Sequence, residues 1–237
     1  MINLIEQKVN KKTILIIGDS WGIPDYKISV PNCTVLAPKE HTEYRLRNLG
    51  YNVINCSIIA SSMLATISKA KELLNKERNL KIDWIIWFHT ESIRDVNTSY
   101  LFTKWLTLDE IHKFTSIAAY RAFKDLVETC SNPKTVVIGG QAPIDPILYD
   151  IYKPNFVIED WRSEIVGRKL SNCVSLSKLE ILEILYNTKD EKIDIMNIHQ
   201  EIFDAMTDRT KFFDGCHPGS ESHKELTARL HKWFSNS

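Results

Sequence analysis

The sequence predicts an α/β domain built on a buried parallel sheet, and three observations carry that prediction. Short runs of consecutive apolar and β-branched residues stand at 13–17, 82–88 and 135–138. Strands that are apolar at successive positions are covered on both faces, which is the habit of parallel sheets. These runs alternate with longer stretches of helical periodicity, the rhythm of strand–helix–strand units. Each run also stops at a turn-forming or polar cluster: Gly18-Asp19-Ser20-Trp21-Gly22, His89-Thr90-Glu91 and Gly139-Gly140-Gln141. The expected architecture is a three-layer α/β/α sandwich on a parallel sheet of about five strands. In such open sheets the chemistry sits at the carboxyl ends of the strands.

Length and composition agree with one domain over 1–237, since 237 residues suffice for one sizeable core and nothing demands a second. Hydrophobic residues at 43% and charged residues at 25% are ordinary globular values. Thirty basic side chains balance thirty acidic ones, which gives no support to a nucleic-acid or membrane-surface role. The five cysteines are odd in number, scattered and free of Cys-x-x-Cys spacing, so neither a disulfide framework nor a zinc site is expected. Residues 1–12 are polar with only short apolar stretches, and the strand after them is too short for a signal peptide or a membrane span. A reducing, cytoplasmic setting is the expectation.

In chain order, the first strand is 13–17, ending at Ser20. Pro24, Pro31 and Pro38 make the stretch to about residue 39 irregular, framing one side of the crevice at the strand ends. A helix over 41–48 is closed by Gly50, which suits a left-handed C-terminal cap. The second strand is 51–55, and Ser61 or Ser62 caps a helix to about residue 77 with Leu64, Ile67 and Leu74 on one stripe. The third strand is 82–88, where Trp84 and Trp87 read as core. A helix over about 108–130 shows Ile111, Phe114, Ile117, Ala118, Phe123 and Leu126, and Pro133 ends it before the fourth strand, 135–138. From 142 to 170, Pro143, Pro146, Tyr149, Tyr152, Pro154, Phe156 and Trp161 mark an ordered excursion read as a lid or substrate wall. A weak fifth strand is expected at 173–176, then helices over 178–187 and 195–207, and an amphipathic helix over 220–234.

The chemistry lies at two distant places. Ser20 ends the first strand, and the bland reading of Gly-Asp-Ser is a turn whose Asp and Ser cap the next element. Asp214-Gly215-Cys216-His217-Pro218-Gly219 puts a carboxylate and an imidazole three positions apart in a loop, because Gly215, Pro218 and Gly219 break a helix there. In such a loop Asp214 can accept from His217 Nδ1–H, fixing the tautomer whose Nε2 is free to take a proton from Ser20. Cys216 reads as a small side chain packed beneath that turn. His89 has no second His or Cys at ligand spacing, His199 reads as a surface or interface histidine, and His223 and His231 read as residues facing solvent or helix neighbours.

With those residues in view the chain resembles the SGNH hydrolase family, also called GDSL esterases and lipases. Gly18-Asp19-Ser20 is similar to the first family block and Asp214-x-x-His217 to the last, and the resemblance spans nearly the whole chain. Asn55-Cys56-Ser57-Ile58-Ile59-Ala60 resembles the second block with Ala60 where the family carries its oxyanion glycine. Phe88-His89-Thr90-Glu91 resembles the third with Thr90 where the family carries asparagine. The resemblance implies a flavodoxin-like strand order and a catalytic triad of Ser20, His217 and Asp214. It implies oxyanion donors at Ser20 N–H, Ala60 N–H and Thr90, with His89 as the alternative to Thr90; Thr90 reads equally well as a helix N-cap. No metal or organic cofactor is implied. The substrate class is a small acyl ester, with an O-acetylated sugar as the leaning. The alternatives are an acyltransferase using the same acyl-enzyme, or a non-catalytic carbohydrate-binding or assembly protein on the same fold.

Overall fold

Five strands pair in the order β2-β1-β3-β4-β5, and every pairing is parallel. They are β1 (Thr13–Gly18), β2 (Asn52–Asn55), β3 (Trp84–His89), β4 (Lys134–Gly139) and β5 (Phe156–Ile158). The helices are α1 (Thr42–Asn48), α2 (Met63–Lys76), α3 (Leu108–Thr129), the short α4 (Leu148–Ile151) and α5 (Trp161–Val166), and α6 (Ser220–Ser235). This computed structural model describes residues 11–23, 38–59, 61–77, 79–90, 108–140, 144–167 and 217–236; of Ser20 it describes the main chain. Among these residues no helix is long and apolar enough to cross a membrane.

The alternation of side chains along each strand divides the core into two layers. Leu15, Ile17, Ile85, Trp87 and Val137 point to one face, where Met63, Ile67 and Ala70 of α2 and Ala119, Tyr120, Phe123 and Leu126 of α3 cover them. Ile14, Ile16, Trp84, Ile86, Phe88, Val136 and Ile138 point to the other, under Leu46 of α1, Trp161 of α5 and Leu226, Leu230 and Phe234 of α6. Both faces of β1, β3 and β4 are therefore sealed, which is why their sequences are apolar without a polar alternate. The expected three-layer sandwich and its strand order are what the chain adopts.

Local chemistry sets the helix ends. Ser62 caps α2, its hydroxyl accepting from Ala65 N–H at 3.3 Å. α1 ends in a paired C-terminal cap: Gly50 N–H donates to Arg47 O at 3.0 Å and Tyr51 N–H to Leu46 O at 3.2 Å. Gly50, at φ +94°, supplies the backbone angle this needs.

One expectation is corrected here. Much of the stretch expected as a lid or substrate wall at 142–170 is part of the framework: α4, the edge strand β5 and α5 all lie in it. β5 is only three residues long and follows Pro154 and Asn155, so its apolar run is too short to separate from an aromatic-rich loop. Asn155 itself anchors the strand's entry, its Oδ1 accepting from Thr135 N–H at 2.8 Å. The strand expected at 173–176 and the helices expected at 178–187 and 195–207 lie outside the described residues.

Candidate active site

β1 ends at Gly18, where the chain turns at the carboxyl edge of the sheet. Gly18 has φ +146°, and a Cβ there would sit 2.6 Å from both Cβ and O of Phe88 on the neighbouring strand. Only glycine fits that approach. The next residue, Asp19, is fully buried, and its Oδ1 accepts from Trp21 N–H at 3.0 Å while its main-chain O accepts from Gly22 N–H at 3.0 Å. These two bonds wind Ser20–Gly22 into a single 3₁₀ turn. Ser20 is thus presented by a turn held on both sides.

The third sequence block meets that turn from β3. Thr90 is buried, and its hydroxyl donates to Asp19 Oδ2 at 2.9 Å. A hydroxyl has one proton, so in this arrangement Thr90 is an acceptor toward anything else. His89 points to the opposite face of the sheet. Its Nε2 lies 2.9 Å from the Tyr120 hydroxyl, which accepts from Asp145 N–H at 3.2 Å and so sends its own proton toward His89. Its ring packs against Trp87. Burial, with the Asp145 carboxylate next, holds the Tyr120 hydroxyl well above the usual phenol range, so it stays a proton donor.

His217 is buried at this edge, and its ring centroid is 6.4 Å from that of Trp21, the residue after Ser20. Around Trp21 stands a cluster of rings. Trp161 meets Trp21 edge-on at 5.6 Å and His223 edge-on at 5.6 Å, and His223 lies 4.1 Å from His41. His41 has a fixed tautomer: Nδ1 accepts from Glu43 N–H as the N-cap of α1, and Nε2–H donates to Trp21 O at 3.3 Å. His223 Nδ1 lies 2.9 Å from Thr42 Oγ1. Burial lowers His41 to about 3 and His223 well below its ordinary value, so both imidazoles are neutral and hold their neighbours by hydrogen bonds.

β2 supplies the remaining support. Asn55 Nδ2 donates to Gly22 O at 2.6 Å and to Glu43 Oε2 at 2.7 Å, and its Oδ1 accepts from Ser57 N–H at 2.9 Å. Glu43 is held in turn by Arg47 at 2.8 Å. One amide therefore joins the end of the Ser20 turn, α1 and the second block.

Of the residues singled out from the sequence, Ser20 (main chain), His89, Thr90 and His217 lie in or beside this edge. Asp214, Ala60 and Cys216, like His199, are outside the described residues. Of the two surroundings expected for His223, it has a neighbouring helix: it is buried at 2% exposure, against Thr42 and His41 at α1, and the Thr90 hydroxyl is engaged by Asp19. His41, Asn55 and Asp19 were not singled out for support. A polar residue at the end of an apolar run, as Asn55 is and as Asp19 is one glycine later, is the signal that points to those two.

No protein-family model matches the chain, and no curated protein matches it. Among solved structures it is similar to a lipase/acylhydrolase from Enterococcus faecalis, at 13% identity over 95% of this chain and 96% of that one, with TM-score 0.43. It is similar to the psychrotrophic esterase EstA from Pseudoalteromonas sp., at 12% identity over 95% of this chain and 100% of that one, with TM-score 0.44. It is also similar to a carbohydrate esterase whose active site displays divergent catalytic and non-catalytic binding functions, at 11% identity over 95% and 69%, with TM-score 0.49.

Proposed function

We propose that the chain is a serine esterase that hydrolyses a small acyl ester through an acyl-enzyme on Ser20. The observation that carries the reading is the juxtaposition of the two distant blocks: the ring of His217 lies 6.4 Å from that of Trp21, next to Ser20 in the 3₁₀ turn after β1. Ser20 Oγ attacks the acyl carbon while His217 takes its proton, and Asp214 orients the imidazole. Collapse of the tetrahedral species expels the alcohol, which receives that proton. Water then attacks the acyl-serine, again losing its proton to His217, and the acid leaves with Ser20 restored.

The main-chain N–H groups of Ser20 and Ala60 hold the developing oxyanion. Thr90 serves the reaction through Asp19, whose carboxylate shapes the turn. No metal or organic cofactor takes part in this scheme. An O-acetylated sugar is the substrate we favour, in a reducing, cytoplasmic setting with which the free Cys56 and Cys130 agree. An acyltransferase differs only in that an acceptor hydroxyl replaces water in the second step. The engagement of Thr90 by Asp19 and of His89 by Tyr120 favours a second reading, a carbohydrate-binding module on the same fold.

A fluorophosphonate probe decides between enzyme and binding module. The expected result is one covalent adduct per chain, lost in folded Ser20→Ala and strongly slowed in His217→Ala. Equal labelling of folded Ser20→Ala, or no labelling of the wild type, overturns the proposal.

A further inference from the structure

Trp21 is 1% exposed and its main chain is tied at both ends: the N–H donates to Asp19 Oδ1 at 3.0 Å, and the carbonyl accepts from His41 Nε2–H at 3.3 Å. The residue after Ser20 is therefore fixed by the same bonds that shape the turn. Its indole meets three neighbours. A Cβ at Gly140, just past β4, would lie 3.4 Å from Cδ2 and 3.5 Å from Cε3 of the ring, so the main chain there supports it closely. Trp161 braces it edge-on at 5.6 Å and is itself packed against the rings of Phe88 and His223. The third neighbour is the ring of His217, 6.4 Å away and tilted by 48°, within the range of a packed ring pair.

Folding alone does not call for an indole at this position. Trp21 Nε1 is sealed from solvent and has no partner among the described residues, and a sealed donor without an acceptor costs stability. A phenylalanine ring would fill much of the same space without that donor. What the indole adds is a larger rigid body whose root is tied and whose neighbours include the candidate base. His217 is followed by Pro218 and Gly219 before α6 begins at Ser220, so it has no helix of its own to set its place.

We infer that Trp21 is a positioning residue of the proposed esterase: its indole, fixed through the Ser20 turn, sets the His217 ring at the separation from Ser20 that proton transfer requires. The proton transfer rests on the serine-esterase reading, and the placement rests on the ring geometry itself. One residue thus carries both the end of the nucleophile's turn and a stop for the base. Displacing a base by about 1 Å costs on the order of a hundredfold in rate, so a change in this ring is read in kcat.

The test measures kcat, KM and Tm with 4-nitrophenyl acetate, whose leaving group departs without a proton, so the rate reports His217 as a base. Wild type, Trp21→Phe, Trp21→Leu and Trp84→Leu are compared, Trp84 being a buried tryptophan of the same core layer at the start of β3. Trp21→Leu is expected to lower kcat about ten- to a hundredfold per folded molecule with KM within about twofold. Trp21→Phe, with a smaller ring and no unmet donor, should fall between in kcat while its Tm stays near that of the wild type. Trp84→Leu should lower Tm and leave kcat per folded molecule unchanged. A crystal structure of Trp21→Leu should show the His217 ring displaced by about 1 Å or more.

Unchanged kcat in folded Trp21→Leu, whatever happens to KM, overturns the inference, and so does a lowered kcat with His217 unmoved. Should Trp21→Leu not fold, Trp21→Phe decides by the same two readouts: a lowered kcat with a displaced ring supports the inference, and full kcat or an unmoved ring overturns it. If the wild type does not hydrolyse the ester, the esterase reading fails, and the crystal structures judge the placement by themselves. A displaced His217 in either Trp21 variant then supports the placement, and an unmoved one overturns it.

Discussion

Thr90 gives its hydroxyl proton to Asp19 across 2.9 Å, tying the end of β3 to the turn that follows β1. The bond decides what replacement of Thr90 should do. Thr90→Val keeps the shape and leaves a buried carboxylate short of one donor, at a cost of about 1.5–3 kcal/mol. That lowers Tm by roughly 2–4 °C per kcal/mol in a chain of this size. Turnover should fall together with stability, and Thr90→Ser should restore both. A Thr90 that donated to the oxyanion would instead lose turnover by as much as about 10²–10³ with Tm unmoved. Melting curves and initial rates on the same preparations separate the two.

Gly18 and Gly50 both have positive φ, but a Cβ at Gly18 would collide with Phe88 whereas Gly50 faces open space. Gly50→Ala should therefore cost only the backbone strain, about 1 kcal/mol. Gly18→Ala adds a contact of 2.6 Å with a neighbouring strand, and should cost about 3 kcal/mol or more or prevent folding. Urea unfolding of the two variants reads the difference.

The neutral pair His41 and His223 predicts acid sensitivity. Above about pH 6.5 neither the folded nor the unfolded chain protonates them, and their contribution is complete. As pH falls below that value the unfolded imidazoles bind protons while the buried ones do not, so stability drops. Each contributes up to about 1.4 kcal/mol per pH unit until the folded value is reached, about 3 for His41. Urea midpoints between pH 7 and pH 5 should show the decline, and His41→Gln, which keeps a donor for Trp21 O, should flatten it. An equally steep decline in His41→Gln rules this origin out.

Asn55 offers a sharper test of the support around Ser20. Asn55→Asp sets a second carboxylate against Glu43 where an amide donor now stands at 2.7 Å, and removes the donor to Gly22 O. The variant should be destabilised by several kcal/mol at pH 7, on the scale of a buried charge left uncompensated. It should recover in part as pH falls and the new carboxyl takes up a proton, whereas Asn55→Ala should show no such recovery.

What could be read from the sequence follows from where each signal is local. β1, β3 and β4 declare themselves because both faces are buried, so their residues are apolar without interruption; the cap at Gly50 and the Ser62 N-cap are single-residue signals. β5 hides because three residues carry no periodicity and its anchor, Asn155, acts on a strand 20 residues away. The same limit applies at the candidate site. Ser20 and His217 are legible as motif residues, whereas the proton from Thr90 to Asp19 joins positions 71 apart and the contact of Thr42 with His223 joins positions 181 apart. His223 in particular sits on an amphipathic helix where a polar residue reads as outward-facing, and only packing against α1 turns it inward.

The two layers of the core are completed at different moments of synthesis. The face under α2 and α3 has both of those helices by the time β4 emerges and then needs only Ile144 and Leu148, just before and at α4, which follow within ten residues of the strand. The face under α1 waits for α6, which is made after all five strands and brings Leu226, Leu230 and Phe234. Until then Trp84, Phe88 and Ile138 have no complete cover, so a nascent or truncated chain carries one finished side and one adhesive side. His217 arrives immediately before that same helix. A chain halted before residue 217 would have both an open core and no candidate base, so half-made copies would be targets for chaperones while still lacking part of the candidate site.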